Sequence, residues 1–231
     1  MKERSMNKLH KTILSFLVVV TTGVLPGTTC IAFDDGDVQF WSTASATFDI
    51  NKDWKGKFEE EFRFGEDAGN FYYNHSDLGF IYGGLAEWMD LGFNYRQVFG
   101  RADSASEWKQ ENRPHLNVTL KGKLFDLSVS NRSRFEFRDR EDNEDHWRYR
   151  NKFTVKVPLE LTDLKLKPYV ADEVFIPLND DNISINRVYA GISFEVLENM
   201  TGEVFYLWQS SRAPGDWNDT NILGTRLKFR F

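Results

Sequence analysis

The sequence predicts an all-β protein, namely an antiparallel transmembrane β-barrel of roughly 10–12 strands with short periplasmic turns and longer outer loops. The first observation behind this prediction is an alternation of apolar and charged residues with a period of two, which is typical of strands rather than helices. The second is the length of the alternating segments, roughly 10–14 residues, which is enough to cross a bilayer at a tilt, whereas strands in soluble sheets usually have about 5–6 residues. The third is a regular exchange of short turns and longer polar loops between these segments.

The composition agrees with a barrel and argues against several other classes of protein. A mean hydropathy of −0.51 is too polar for a bundle of membrane-spanning helices, but a membrane barrel exposes only alternate residues to lipid. Aromatic residues make up 15% of the chain, which gives it enough apolar surface to fold. The net charge of −6 argues against binding to nucleic acid.

The first 32 residues are predicted to be a cleaved signal peptide, which leaves residues 33–231 as the outer-membrane barrel domain. A basic segment ending at Lys11 is followed by the apolar stretch 13–20 and then by small and turn residues up to Ala32. This order is typical of a secretory signal, and the apolar stretch is too short for a membrane-spanning helix, which needs about 20 apolar residues. Because the single cysteine, Cys30, falls in this segment, the mature chain is expected to have no disulfide bond.

The clearest alternation lies in the last segment of the chain. One face carries Leu223, Thr225, Leu227, Phe229 and Phe231, and the opposite face carries Gly224, Arg226, Lys228 and Arg230. Other segments behave in the same way, although Glu60 interrupts the apolar face of the second. In chain order, the eleven predicted strands are 38–50, 54–66, 71–84, 89–100, 108–121, 125–138, 147–159, 164–176, 185–196, 202–212 and 222–231.

The connections predict two different ends of the barrel. Short turns are expected at 51–53, 85–88, 122–124, 160–163 and 197–201, and longer polar loops at 67–70, 101–107, 139–146, 177–184 and 213–221. Tryptophans fall near both sets of connections, as in the two aromatic girdles of a membrane barrel. The alternative is a soluble sandwich or lipocalin-like barrel.

The number of strands leaves one conflict. Bacterial single-chain barrels have an even number of strands and keep both termini in the periplasm, so eleven strands would start the first strand outside. We therefore expect ten to twelve strands and leave the parity open.

The face opposite the apolar one carries more bases than acids. The bases predicted to line the lumen and to form a path for anions are Arg113, Arg132, Arg134, Arg148, Arg150, Lys152, Arg187, Arg226 and Arg230, and the predicted acid partners are Glu59, Glu61 and Glu136. A cationic lumen favours a small passive pore for anionic solutes, because charged rings set the selectivity of a pore through their local potential. The alternative is a closed structural barrel filled by salt bridges, since barrels near eight strands are filled by side chains and much larger ones leave a channel.

A further alternative is an outer-membrane enzyme that modifies lipid, which would need a serine beside a histidine. The sequence places His75, Ser76 and Asp77 together, but adjacent strand residues point to opposite faces, so His75 and Ser76 cannot pair directly. We therefore assign no catalytic residues. The sequence also predicts no metal site and no cofactor, since it has neither a Cys/His cluster nor a glycine-rich phosphate loop after a strand.

Two resemblances add a location and a family. The alternating residues 223–231 with their terminal Phe231 resemble the C-terminal strand signal of bacterial outer-membrane proteins. This resemblance implies the outer membrane of a Gram-negative bacterium, recognition by the barrel assembly machinery, and contact with outer-membrane lipid and lipopolysaccharide. Six further blocks are Trp108 to His115, Asn131 to Glu136, Trp147 to Lys152, Lys167 to Tyr169, Asn186 to Gly191 and Trp217 to Asn221. These blocks resemble domain-of-unknown-function family 2490, which implies no particular biochemistry.

Overall fold

A computed structural model describes residues 35–141, 144–158, 165–179, 182–213 and 216–231; the predicted signal peptide at 1–32 lies outside them. All regular structure in this part of the chain is β-strand, as predicted. The strands are β1 (Asp37–Asp49), β2 (Trp54–Gly65), β3 (Asn70–Ala86), β4 (Met89–Gly100), β5 (Lys109–Leu124), β6 (Leu127–Arg140), β7 (His146–Lys156), β8 (Lys167–Pro177), β9 (Ile185–Leu197), β10 (Met200–Ala213) and β11 (Asp216–Arg230).

The eleven strands form one closed barrel in chain order. Each strand pairs antiparallel with the next, and the barrel closes through a parallel pairing of β1 and β11 that runs from Asp37↔Thr220 to Thr47↔Arg230. The predicted antiparallel barrel is therefore correct except for the pairing of β1 with β11, which is parallel. This parallel pair also explains the odd number of strands. When successive strands run in opposite directions, an odd number of them can close into a barrel only if the first and the last run in the same direction.

The barrel has two ends, which we name by their connections. The turn end is where β1, β3, β5, β7 and β9 end, and the loop end is where β2, β4, β6, β8 and β10 end. The predicted short turn at 160–163 lies outside the described residues. The predicted long loop at 213–221 is wrong, because β11 begins at Asp216 and Trp217 pairs with Arg212. Its polar composition does not prevent pairing, since the backbone supplies the hydrogen bonds of a hairpin.

Apolar side chains cover the outside of the barrel and charged side chains fill the inside. Leu78 is 60% exposed, and Phe93 and Leu223 on other strands are also exposed. Inside, His75, Glu136 and Glu173 are almost completely buried. This arrangement is the reverse of a soluble globule, in which charged residues are almost never fully buried and apolar residues form the core.

One part of the interior is apolar and tightly packed. Trp41, Tyr189, Phe205, Leu207 and Ile222 belong to a single buried cluster on the wall formed by β1 and β8 to β11. Gly224 makes this packing possible, because a Cβ atom at that position would overlap with the ring of Phe205. In the described residues, no helix is long and apolar enough to cross a membrane.

Candidate functional site

A cavity of about 310 Å³ lies inside the barrel, and basic residues dominate its wall. On β5, β10 and β11 the residues that line it come from the half of the strand nearer the turn end, and on β6 and β7 they extend from that half to Arg134 and Arg150 near the middle of each strand. We call it the cationic cavity. Among the described residues its lining includes eleven bases and four acids: Lys57, Arg63, Arg96, Arg132, Arg134, Arg150, Lys152, Lys156, Arg187, Arg226 and Lys228, with Glu59, Glu61, Glu173 and Glu203.

Four arginines on the neighbouring strands β6 and β7, Arg132, Arg134, Arg148 and Arg150, form what we call the arginine quartet. They meet because both strands place alternate residues in the lumen and because their register sets Arg134 opposite Arg150. Two buried glutamates, Glu136 on β6 and Glu173 on β8, are their acid partners.

The two glutamates are shared among the quartet. Arg148 Nε donates to Glu136 Oε1, and Arg150 lies 3.4 Å from Glu136 Oε2. Glu173 Oε1 accepts from Arg150 at 2.9 Å and from Arg132 at 3.0 Å. Each carboxylate is thus already engaged by two arginines.

Arg134 is bound differently from the rest of the quartet. Its Nε donates to Asn117 Oδ1 at 2.8 Å, which fixes the guanidinium plane. Its NH1 atom lies 3.9 Å from Glu136, which is too far for a hydrogen bond, and has no hydrogen-bond partner within the described part of the chain. The Arg134 side chain is only 6% exposed and faces the cationic cavity.

A second ionic cluster joins β2, β3 and β4. Arg96 donates from Nε to Asp77 Oδ2 at 2.8 Å and from NH2 to Glu59 Oε1 at 3.2 Å. His75 lies between Glu59 and the hydroxyl of Tyr73, 3.4 Å and 3.1 Å away. These groups compensate one another inside the barrel wall.

Glu203 organises a third cluster near the turn end. Its Oε1 atom accepts from Lys228 at 2.5 Å, and its Oε2 atom accepts from Arg226 at 3.2 Å. The side chains of Lys156 and Lys228 are each 42% exposed, so the cationic cavity is reached by solvent on this side.

Buried side chains fill the lumen between the cationic cavity and the loop end. Glu111 is clamped by Arg113 and Arg138, both through two hydrogen bonds. Arg187 lies over the rings of Trp41 and Phe175, with its guanidinium carbon 4.8 Å and 4.6 Å from their centroids. Such contacts hold cations in place without neutralising their charge.

The predicted lumen residues fall into three groups. Arg132, Arg134, Arg150, Lys152, Arg187 and Arg226 line the cationic cavity, together with the predicted acids Glu59 and Glu61. Arg113 and Arg148 are buried nearer the loop end with Glu111 and Glu136. Arg230 lies at the rim of the turn end, where its side chain is 67% exposed and 3.4 Å from Asp49. A path for anions along these residues stays a prediction.

Sequence reasoning did not assign several acids of the lumen. The prediction does not place Asp77, Glu111 or Glu203 in the lumen; it places Glu173 on the inward face without naming it as a partner, and all four acids are buried and pair with an arginine. The same period-two alternation puts Asp77, Glu111 and Glu203 on the inward face of their strands as well.

The residues considered for lipid chemistry are separated by the barrel wall. Asp77 faces the lumen with His75, whereas Ser76 pairs across the sheet with Glu60 and Gln97 on the outward face. His115 Nε2 lies 3.5 Å from Asp77, and its Nδ1 contacts the backbone oxygen of Arg113. In the described ranges, no group of three or more His, Cys, Asp or Glu residues is placed to hold a metal ion.

Comparison with known proteins gives the chain a family. Residues 38–221 match the family described as "Protein of unknown function (DUF2490)", and these residues include β1 to β10 and the first part of β11. No curated protein matches the chain. Since the matched range covers most of the sequence and nearly the whole barrel, the chain belongs to the DUF2490 family of proteins of unknown function.

Proposed function

We propose that this protein is an outer-membrane β-barrel that takes small anionic solutes into the cationic cavity from its periplasmic side. The observation that carries this proposal is the composition of the cavity wall, in which eleven bases face four acids. So large an excess of one charge on largely buried side chains is costly unless anions or water offset it. A small anion that enters the cavity would relieve this repulsion.

The outward face supports the membrane location. It presents bulky apolar side chains on many strands, and exposed apolar area of this extent marks a surface that meets lipid or a partner. Trp88 near the turn end and Trp147 near the loop end are both exposed, as in aromatic girdles. The apolar and inward-facing residues that alternate over 223–231 favour assembly in the outer membrane of a Gram-negative bacterium, with lipid and lipopolysaccharide as its surroundings.

The membrane location is tested by cell fractionation and by gel mobility before and after boiling. We expect the protein in the outer-membrane fraction, and we expect the unboiled sample to migrate differently from the boiled one. A chain recovered in the periplasm without detergent would contradict the membrane proposal.

The anion part is tested on the detergent-solubilised barrel by its unfolding midpoint in chloride, acetate, succinate and phosphate at matched ionic strength. A ligand that binds only the folded state raises this midpoint in proportion to its affinity and concentration. We expect at least one of these anions to do so, and we expect the triple variant Arg132→Gln, Arg134→Gln, Arg150→Gln to lose the effect. Equal midpoints in all four salts would contradict the proposal.

Anion conduction is the second candidate, favoured by the access of solvent to the cationic cavity at the turn end. Against it stand the buried ion pairs and rings between the cavity and the loop end, which are typical of a filled barrel. Planar-bilayer recording separates the two, since a pore would give an anion-selective conductance that the triple variant shifts towards cations. An intact barrel without conductance would leave the binding function and exclude the pore.

A further inference from the structure

We infer that the arginine quartet, of which Arg132, Arg134 and Arg150 line the cationic cavity, forms a binding site for a doubly charged oxyanion, a phosphate group, at the inner end of that cavity. This inference rests on the proposed function and names the chemical group that the cavity would hold. Three observations carry it: the excess positive charge of the quartet, the buried NH1 atom of Arg134 that has no partner among the described residues, and the preference of guanidinium groups for oxyanions.

The quartet has two more positive charges than its acid partners supply. Glu136 is shared by Arg148 and Arg150, and Glu173 is shared by Arg132 and Arg150. Glu173 also accepts a hydrogen bond from the hydroxyl of Tyr189 on Oε2 at 3.0 Å, so both of its oxygens are engaged. A dianion would neutralise the two excess positive charges of the quartet, whereas a monoanion would leave one of them uncompensated.

Arg134 offers the donor that such a ligand requires. Its guanidinium is held by Asn117, and its NH1 atom stays without a hydrogen-bond partner among the described residues, although the side chain is buried. The positive charges of Arg132, Arg150 and Arg96 also repel the guanidinium of Arg134. Buried polar groups are nearly always hydrogen-bonded, so an unpaired donor on a residue that lines a cavity indicates a missing partner.

The group that fits is an oxyanion with several acceptor oxygens. Guanidinium groups bind phosphate through paired, charge-assisted hydrogen bonds, and arginine is favoured where such planar recognition matters. Arg150 Nε is a second buried donor without a partner in the described residues. The hydroxyl of Tyr169 on the cavity wall is also buried and has no hydrogen-bond partner there. A volume of about 310 Å³ leaves room for a small organic group attached to the phosphate.

The inference is tested by calorimetric titration of the delipidated, detergent-solubilised barrel with inorganic phosphate and, in separate titrations, with a short-chain phosphatidic acid, succinate and chloride. The variants are Arg134→Gln, Arg134→Lys and, as a matched control, Arg138→Gln, because Arg138 lies outside the cavity on Glu111. We expect wild type and Arg138→Gln to bind phosphate equally. We expect Arg134→Gln to weaken binding at least tenfold, and Arg134→Lys to weaken it less.

The outcomes separate this inference from the proposed function. Binding of inorganic phosphate that depends on Arg134 supports both. Binding of phosphatidic acid alone, again dependent on Arg134, supports the phosphate site but overturns a soluble solute as its ligand. Tighter binding of succinate or chloride, with no effect of Arg134→Gln, overturns the phosphate site and leaves the proposed function. Binding of none of these anions overturns both.

Discussion

Glu136 is the carboxylate on which three members of the arginine quartet depend, and Glu136→Gln tests the charge arrangement of the lumen. Its side chain is completely buried, and Arg148, Arg150 and Arg134 all lie within ion-pair distance of it. Glutamine keeps the shape and size of glutamate and removes only its charge. The four arginines would then face Glu173 alone.

The expected loss of stability follows from this burial. Removing one partner of a buried ion pair costs about 3–5 kcal/mol, because the remaining charge is left uncompensated. The lower end applies here, since the glutamine oxygen still accepts a hydrogen bond and Arg150 borders the solvent-accessible cavity. We therefore expect Glu136→Gln to lower the free energy of unfolding by about 3 kcal/mol, which at a urea m-value of about 2–3 kcal/mol/M lowers the midpoint by roughly 1–1.5 M.

The measurement is urea unfolding of the barrel refolded into lipid vesicles, followed by tryptophan fluorescence and by gel mobility. The matched control is Glu195→Gln on β9, because Glu195 is 43% exposed and its partner Lys165 is exposed as well. Solvent screens such a pair, so the control should unfold at the wild-type midpoint. If Glu136→Gln unfolds with the control, the buried ion pairs do not stabilise the barrel and the reasoning is refuted.

Two further predictions concern packing and topology. Gly224→Ala should destabilise the barrel by about 1–3 kcal/mol in the same urea assay, because its methyl group would overlap with Phe205. Gly122→Ala should have no such effect, since a Cβ there would make only an ordinary contact with Val129 at 3.8 Å. The parallel seam puts the start of β1 at the loop end, so in intact cells a membrane-impermeant thiol reagent should label Asp35→Cys and not Asp126→Cys at the turn end. The reverse labelling pattern would contradict the proposed orientation.

Much of the fold could be predicted because period-two alternation is a local property of the sequence. The segment 89–100 has the bounds of β4, and each of the other predicted segments overlaps one strand. The prediction failed where a polar stretch was assumed to end strand pairing, as in the predicted loop at 213–221, most of which belongs to β11. There, Trp217 and its neighbours extend the hairpin with β10 through backbone hydrogen bonds, which do not depend on side-chain polarity.

The partners of the lumen arginines could be predicted only in part. Alternation gives the face of a residue, but the height of one strand against the next depends on register, which also depends on the geometry of the connecting turns. Of the predicted acid partners, Glu136 pairs with Arg148 and Arg150 on the next strand, whereas Glu59 and Glu61 contact Arg96, Lys57 and Arg63 on or near their own strand. Glu173 meets the quartet because β8 pairs with β7 so that Lys152 stands opposite Glu173.

The stability of the lumen and its proposed function have one physical cause. A barrel filled only for stability would give each buried arginine hydrogen bonds to a carboxylate, as Glu111 does for both Arg113 and Arg138 near the loop end. Around the cationic cavity this pairing is incomplete, because Arg134 keeps a buried donor without a partner among the described residues. Such an arrangement costs free energy in the empty barrel, and an anion that enters would recover it. Arg134→Gln should therefore leave the anion-free barrel at least as stable as wild type while it weakens anion binding, and a large loss of stability without anions would show that Arg134 is structural.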